Sequence, residues 1–117
     1  MPDFKRMDVW NTAHTLTLQI YSATATFPRH EEFGLTNQLR RAAVSISANV
    51  AEGCGRGGQR ELARFLSIAL GSATELEYLL ILSADLGYFD SRELLETARI
   101  VARMLHRLRR RALEHAD

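Results

Sequence analysis

Cysteine is nearly missing from this chain, which holds Cys54 alone among 117 residues. That excludes an intrachain disulfide and any four-cysteine metal site. No histidine lies within twenty residues of Cys54 in sequence, so the thiol has no local base and reads as an inert turn residue. Proline occurs only at Pro2 and Pro28. No continuous apolar run approaches the roughly 18–20 residues of a membrane span. The opening MPDFKRMDVW lacks the apolar segment of a secretory signal. The expectation is a cytoplasmic protein with no membrane association. Strand patterning is missing too, since no clean polar–apolar alternation runs between turn residues. Neither Glu-x-x-His nor His-x-x-Glu occurs, which removes the carboxylate-bridged metal site that helical bundles can build. His14, His30, His106 and His115 are scattered. No metal and no cofactor is expected.

What remains is helical. An apolar share of 46% is ordinary for a globular protein, and the length suits one domain spanning residues 1–117. Apolar residues recur at steps of three and four in four segments. The first, about Met7 to Thr26, carries Val9, Ala13, Leu16, Ile20, Ala23 and Phe27, and Phe27-Pro28 ends it. The second, about Thr36 to Glu52, carries Leu35, Leu39, Ala42, Ile46 and Val50, with Thr36 as expected N-cap and Gly53 as expected left-handed terminator. The third runs from about Gln59 to Asp85, with Leu62, Phe65, Ala69, Ala73, Leu76, Leu80 and Ser83 in register, and Leu86-Gly87 breaks it. Ser91 is the expected cap of the fourth, where Leu94, Ala98, Val101, Leu105, Leu108 and Ala112 repeat. Four helices with short connections predict an all-α, antiparallel up-down-up-down four-helix bundle.

Catalytic chemistry finds little support. In GCGRGGQR, Gly53 and Gly58 have the spacing of a phosphate loop, but Gln59-Arg60 stand where that loop needs Lys and Ser or Thr, and no strand precedes. The glycines read as a helix-to-helix turn. Glu75 and Glu77 point about 200° apart on a helix and cannot act as an acid–base pair. The chain reads as non-enzymatic.

Two polar patterns are left over. On the second helix Gln38, Arg41, Ser45, Asn49 and Glu52 form a row as regular as the apolar stripe. In an antiparallel hairpin centred near residue 56, facing positions add to roughly 112. That brings Glu52 toward Arg60 and Arg64, and Arg41 toward Gly71, Ser72 and Glu75. A network fixing the register of two close helices, an intersubunit contact and a ligand contact are the three readings of this row. The second pattern is basic. Fourteen of the fifteen basic residues are Arg, and residues 99–111 carry six of them with no acid. Arg99, Arg103, Arg107 and Arg110 lie along one side of the fourth helix. Such a stripe suits phosphate contact without base readout, and it also suits a solvated face whose late arginines complement the helix dipole.

The run FGLTNQLRRAAVSISANVAEGCGR, followed by ELARFLSIALGSATELEYLL, resembles the four-helix-bundle proteins encoded in intervening sequences of bacterial 23S ribosomal RNA genes. The similarity includes Phe27-Pro28 and the LGY at Leu86 to Tyr88, with Asn49, Glu52, Gly71, Ser72 and Glu75 in place; Val50 departs from an expected isoleucine. A more distant resemblance is to the accessory variability protein of diversity-generating retroelements. These resemblances imply a bundle that assembles as a ring-like homopentamer. The distant one implies a basic surface that engages nucleic acid and a reverse transcriptase. Two functions stand open: an oligomer associated with RNA or DNA through the arginine stripe, and a protein-interaction scaffold. For the scaffold, Tyr21, Leu70, Ile81, Ile100 and Met104, which lie off the main stripes, would form the contact surface.

Overall fold

The computed structural model describes residues 3–116. Four helices follow the apolar repeats: α1 (Asp8–Thr24), α2 (Leu35–Gly55), α3 (Gln59–Asp85) and α4 (Arg92–Glu114), with short 3-10 turns at Phe4–Arg6 and Arg29–Glu31. Each helix packs on its neighbours in sequence, and α4 closes the square on α1; among the described residues no diagonal pair of helices brings its Cα atoms within 8 Å. This is the antiparallel up-down-up-down bundle. It measures 48 × 20 × 19 Å, the length following from α3, whose 27 residues rise about 40 Å.

The core holds most of the stripes read from the sequence, together with Ala43, Ala63, Leu66 and Leu79, which those stripes omit, whereas Ala23, Leu94 and Leu108 are only half-buried. Leu16, Ile20, Leu39, Ile46, Val50, Leu66, Leu76, Leu80, Val101 and Leu105 are essentially inaccessible to solvent. Most buried hydroxyls find a backbone carbonyl, while that of Ser47 has no partner among the described residues. Ser83 donates to the Leu79 carbonyl at 2.7 Å, and Thr17 donates to Ala13 and also, across the helix interface, to Ala43. Helix α3 is the one described helix long and apolar enough to cross a membrane by length and mean hydropathy, 1.5. Glu75 and Glu77 interrupt that stretch, and its core-facing side chains are buried against the other helices.

The helix ends differ from expectation in instructive ways. Helix α1 stops at Thr24 and a turn closes through the Phe27 amide on the Thr24 carbonyl. Thr36 does not cap α2; it is buried inside the first turn, and the carboxylate of Glu31 reaches the Leu35 amide at 3.2 Å instead. The same carboxylate accepts from the Tyr88 hydroxyl at 2.8 Å, tying the α1–α2 connection to the α3–α4 connection. Gly53 does not terminate α2 either. The helix runs on to Gly55, and the positive backbone angles fall at Gly57 and Gly58. Gly53 is there for closeness: a Cβ on it would lie 2.9 Å from Phe65 Cβ and 3.2 Å from Leu62 Cδ1. The break at Leu86-Gly87 is a Schellman ending, with Gly87 at φ 79° and the amides of Gly87 and Tyr88 bonded to the Ala84 and Ser83 carbonyls. Ser91 does occupy the N-cap position of α4, yet its hydroxyl donates to the Leu80 carbonyl at 2.9 Å rather than capping its own helix.

Candidate functional site

The bundle topology sorts the charges by end. The end with the α2–α3 turn also holds the start of α1 and the finish of α4, and it gathers Arg56, Arg60, Arg64, Arg107, Arg109, Arg110 and Arg111. The opposite end gathers Glu31, Glu32, Asp85, Asp90, Glu93 and Glu96. Countercharges stand at both ends, Asp3, Asp8, Glu52, Glu61 and Glu114 at the first and Arg29, Arg40, Arg41 and Arg92 at the second, so one end is basic and the other acidic in balance only.

Within the arginine stripe the four members are unequal. Arg99 is paired with Glu77 of α3 at 2.8 Å, and Arg103 with Glu96 of its own helix at 3.5 Å. Arg107 and Arg110 are exposed and make no ion pair among the described residues. The usable positive charge thus lies in the last two turns of α4, together with Arg111. The helix dipole favours cations only within about the last turn, which holds Arg111 and neither Arg107 nor Arg110. Sequence spacing missed this division, because Glu77 reaches Arg99 from another helix.

A groove lies beside these arginines, between the start of α1 and the second half of α4. Its volume is about 290 Å³, and Met7, Asp8, Val9, Met104, Arg107, Leu108 and Arg111 line it. Met7 is both the C-cap of the opening 3-10 turn and the N-cap of α1. Its sulfur accepts from the Cys54 thiol at 3.4 Å. Burial, and then the nearby Asp3 carboxylate, raise the Cys54 pKa above that of an ordinary thiol, so this cysteine is a poor nucleophile.

The polar row between α2 and α3 is a shallow groove of about 360 Å³, lined by Asn37, Gln38, Arg41, Ala42, Ser45, Ser72 and Glu75. Its centre is a hydrogen-bonded contact: the Ser45 and Ser72 hydroxyls meet at 2.7 Å, and the Asn49 amide donates to the Ser45 carbonyl and hydroxyl. Gln38, Arg41 and Glu75 are exposed, and no ion pair joins Arg41 to Glu75. Glu52 pairs with Arg56 at 3.4 Å on its own helix, and Arg64 with Glu61 at 2.9 Å on its own. Each of these two pairs is local to its own helix. Arg64 and Arg56 also lie over the Phe65 ring, 4.5 and 5.2 Å from its centroid.

Of the apolar residues off the stripes, Tyr21, Ile81 and Ile100 are exposed, whereas Leu70 and Met104 are half-buried against the core. Leu18, Phe33, Val44, Ile68 and Tyr78 are exposed as well. No group of three or more His, Cys, Asp or Glu side chains among the described residues could hold a metal ion.

Fold and surface define the class: an all-helical four-helix bundle with a basic end and no metal-holding cluster among its described residues. Residues 5–108 match the 23S rRNA-intervening sequence protein family, and the chain belongs to it. A solved structure of a protein of unknown function from the S23 ribosomal protein family of Bacteroides thetaiotaomicron is similar, with a TM-score of 0.74, 23% identity, and coverage of 83% of this chain and 94% of that one. At that identity the likeness concerns the fold. No curated protein matches the chain.

Proposed function

We propose that the protein is a non-enzymatic oligomer that associates with nucleic acid through the basic end of the bundle. The observation that carries this reading is the pair Arg107 and Arg110, exposed, without an ion pair among the described residues and outside the reach of the helix dipole. Guanidinium groups bind phosphate in a planar, bidentate manner, and the family's association with ribosomal RNA genes agrees with such a target. Two or three arginines per chain bind weakly at physiological salt, so the reading includes self-association, which repeats the basic end around one assembly. The exposed Leu18, Tyr21, Val44 and Tyr78 supply apolar surface for subunit contacts. A homopentamer is the state proposed.

The test is binding of RNA and DNA as a function of salt. Affinity should fall steeply between about 50 and 200 mM, because each neutralised phosphate steepens the log–log dependence by about 0.7 to 0.9. Replacing Arg107 and Arg110 together by Ala should flatten the slope, with light scattering showing an unchanged assembly. Replacing Arg99, already held by Glu77, should leave it nearly unaltered. A second reading, a protein-interaction scaffold, draws on Phe33, which is 89% exposed. Absence of any nucleic-acid binding at about 50 mM salt would favour it.

A further inference from the structure

We infer that the groove between the start of α1 and the second half of α4 receives one base of a single-stranded nucleic acid, an inference that rests on the nucleic-acid reading above. Its floor is apolar: Val9 is buried, and Met7, Met104 and Leu108 are half-buried against the core with surface left open to the groove. Thioether sulfurs make favourable contacts with aromatic rings, so Met104 on an otherwise aliphatic floor suits the face of a base, whereas the Met7 sulfur is taken up by the Cys54 thiol and Met7 adds only apolar surface. Its rim is cationic. Arg107 and Arg111 stand one turn apart, about 6 Å along the helix axis, and neither is held by an acidic partner among the described residues. A backbone phosphate beside the seated base would find them. At about 290 Å³ the space is at the lower limit of small-molecule sites and fits a base rather than a larger cofactor.

The third component sets a preference. Asp8, in the first turn of α1, also lines the groove. Its carboxylate repels a phosphate pushed fully inside, but it accepts hydrogen bonds from the exocyclic amino groups of cytosine and adenine, which uracil lacks. The bases of a duplex have both faces stacked on their neighbours, so a site that contacts a base face selects single strands. The basic rim alone would not distinguish the two.

The experiment is fluorescence anisotropy on the full chain at about 50 mM salt, with a short unstructured cytosine–adenine repeat RNA, oligo(U) of equal length, and an RNA duplex. The repeat RNA should bind about fivefold more tightly than either other probe, the lower part of the range for base stacking. Met104→Gln, close in size, should bring the repeat RNA to duplex affinity without altering duplex binding. Asp8→Ala, which removes the acceptor, should erase the preference over oligo(U), and Arg107→Ala should weaken all three probes. Equal wild-type affinity for single strand and duplex would overturn the slot while leaving the parent reading intact. Binding of no probe would overturn both. Circular dichroism checks the variants, and the wild-type comparison stands without them.

Discussion

Gly53 and Gly71 offer the same substitution with opposite expected outcomes. Both lie inside helices, where alanine is preferred over glycine by roughly 0.8–1.0 kcal/mol. At Gly71 a Cβ would meet nothing within 4 Å, so Gly71→Ala should stabilise the bundle by about that amount. At Gly53 the added carbon would sit 2.9 Å from Phe65 Cβ, against about 3.5–4.0 Å for carbon atoms in contact. The obstacle is Cβ itself, fixed to the α3 backbone, so rotamer change gives no relief. Phe65 is further held between the Arg56 and Arg64 guanidiniums. Helices α2 and α3 must separate by more than half an ångström beside a packed core. Overpacking of this kind costs about 1–3 kcal/mol; after the helix preference is subtracted, Gly53→Ala should destabilise by up to about 2 kcal/mol. For a domain of this size that is a fall of up to about 8 °C in Tm, while Gly71→Ala raises it by a few degrees. Urea denaturation at one fixed protein concentration makes the comparison, since self-association makes stability depend on concentration. If both variants gain stability equally, the close approach at Gly53 is not real, and crowding against Phe65 does not explain that glycine.

Tyr88→Phe should weaken the fold near neutral pH and matter less in acid. The Tyr88 hydroxyl, then the Leu35 amide, hold the Glu31 carboxyl below its ordinary 4.5. A depressed carboxylate contributes stability that is complete above its unfolded pKa and is lost as pH falls through the folded value. Denaturation curves of wild type and variant should therefore draw together between pH 7 and about pH 3; a gap that stays constant would refute the charge-assisted tie. Glu75→Ala should cost less than about 1 kcal/mol, because Glu75 is exposed and has no ion pair with Arg41. A measured loss of several kcal/mol would mean that Glu75 is buried in the assembled protein, against a second copy of the chain.

The fold was legible because each helix announces its own buried face. Leu39, Ile46 and Val50, or Val101 and Leu105, recur at helical spacing whatever the partner is, and burial then follows from any arrangement that covers them. The ends were harder because their chemistry is borrowed. Glu31 stands four residues before Leu35 and serves its amide only because Tyr88, from the other end of the chain, steadies the carboxylate. Gly53 looked like a terminator since a helix-ending glycine and a close-packing glycine are the same letter. Only the position of Phe65 separates them.

The candidate site was half legible for a related reason. The arginine run on α4 is visible in the sequence as charge, and its periodicity assigns Arg99, Arg103, Arg107 and Arg110 to one side. Periodicity treats the four alike. The bundle does not, because α3 offers Glu77 to the first of them and nothing to the third and fourth. The groove was invisible altogether: Met7 and Met104 are separated by nearly the whole chain, and they become neighbours only when α4 closes the square against α1. Met104 did stand out as an apolar residue away from the core stripe, and the structure accounts for it without requiring another subunit at that position. An apolar residue set between a core stripe and an arginine stripe occupies the border where a base could rest while its phosphate is held. That border is a property of two helices meeting, so no reading of either helix alone could have found it.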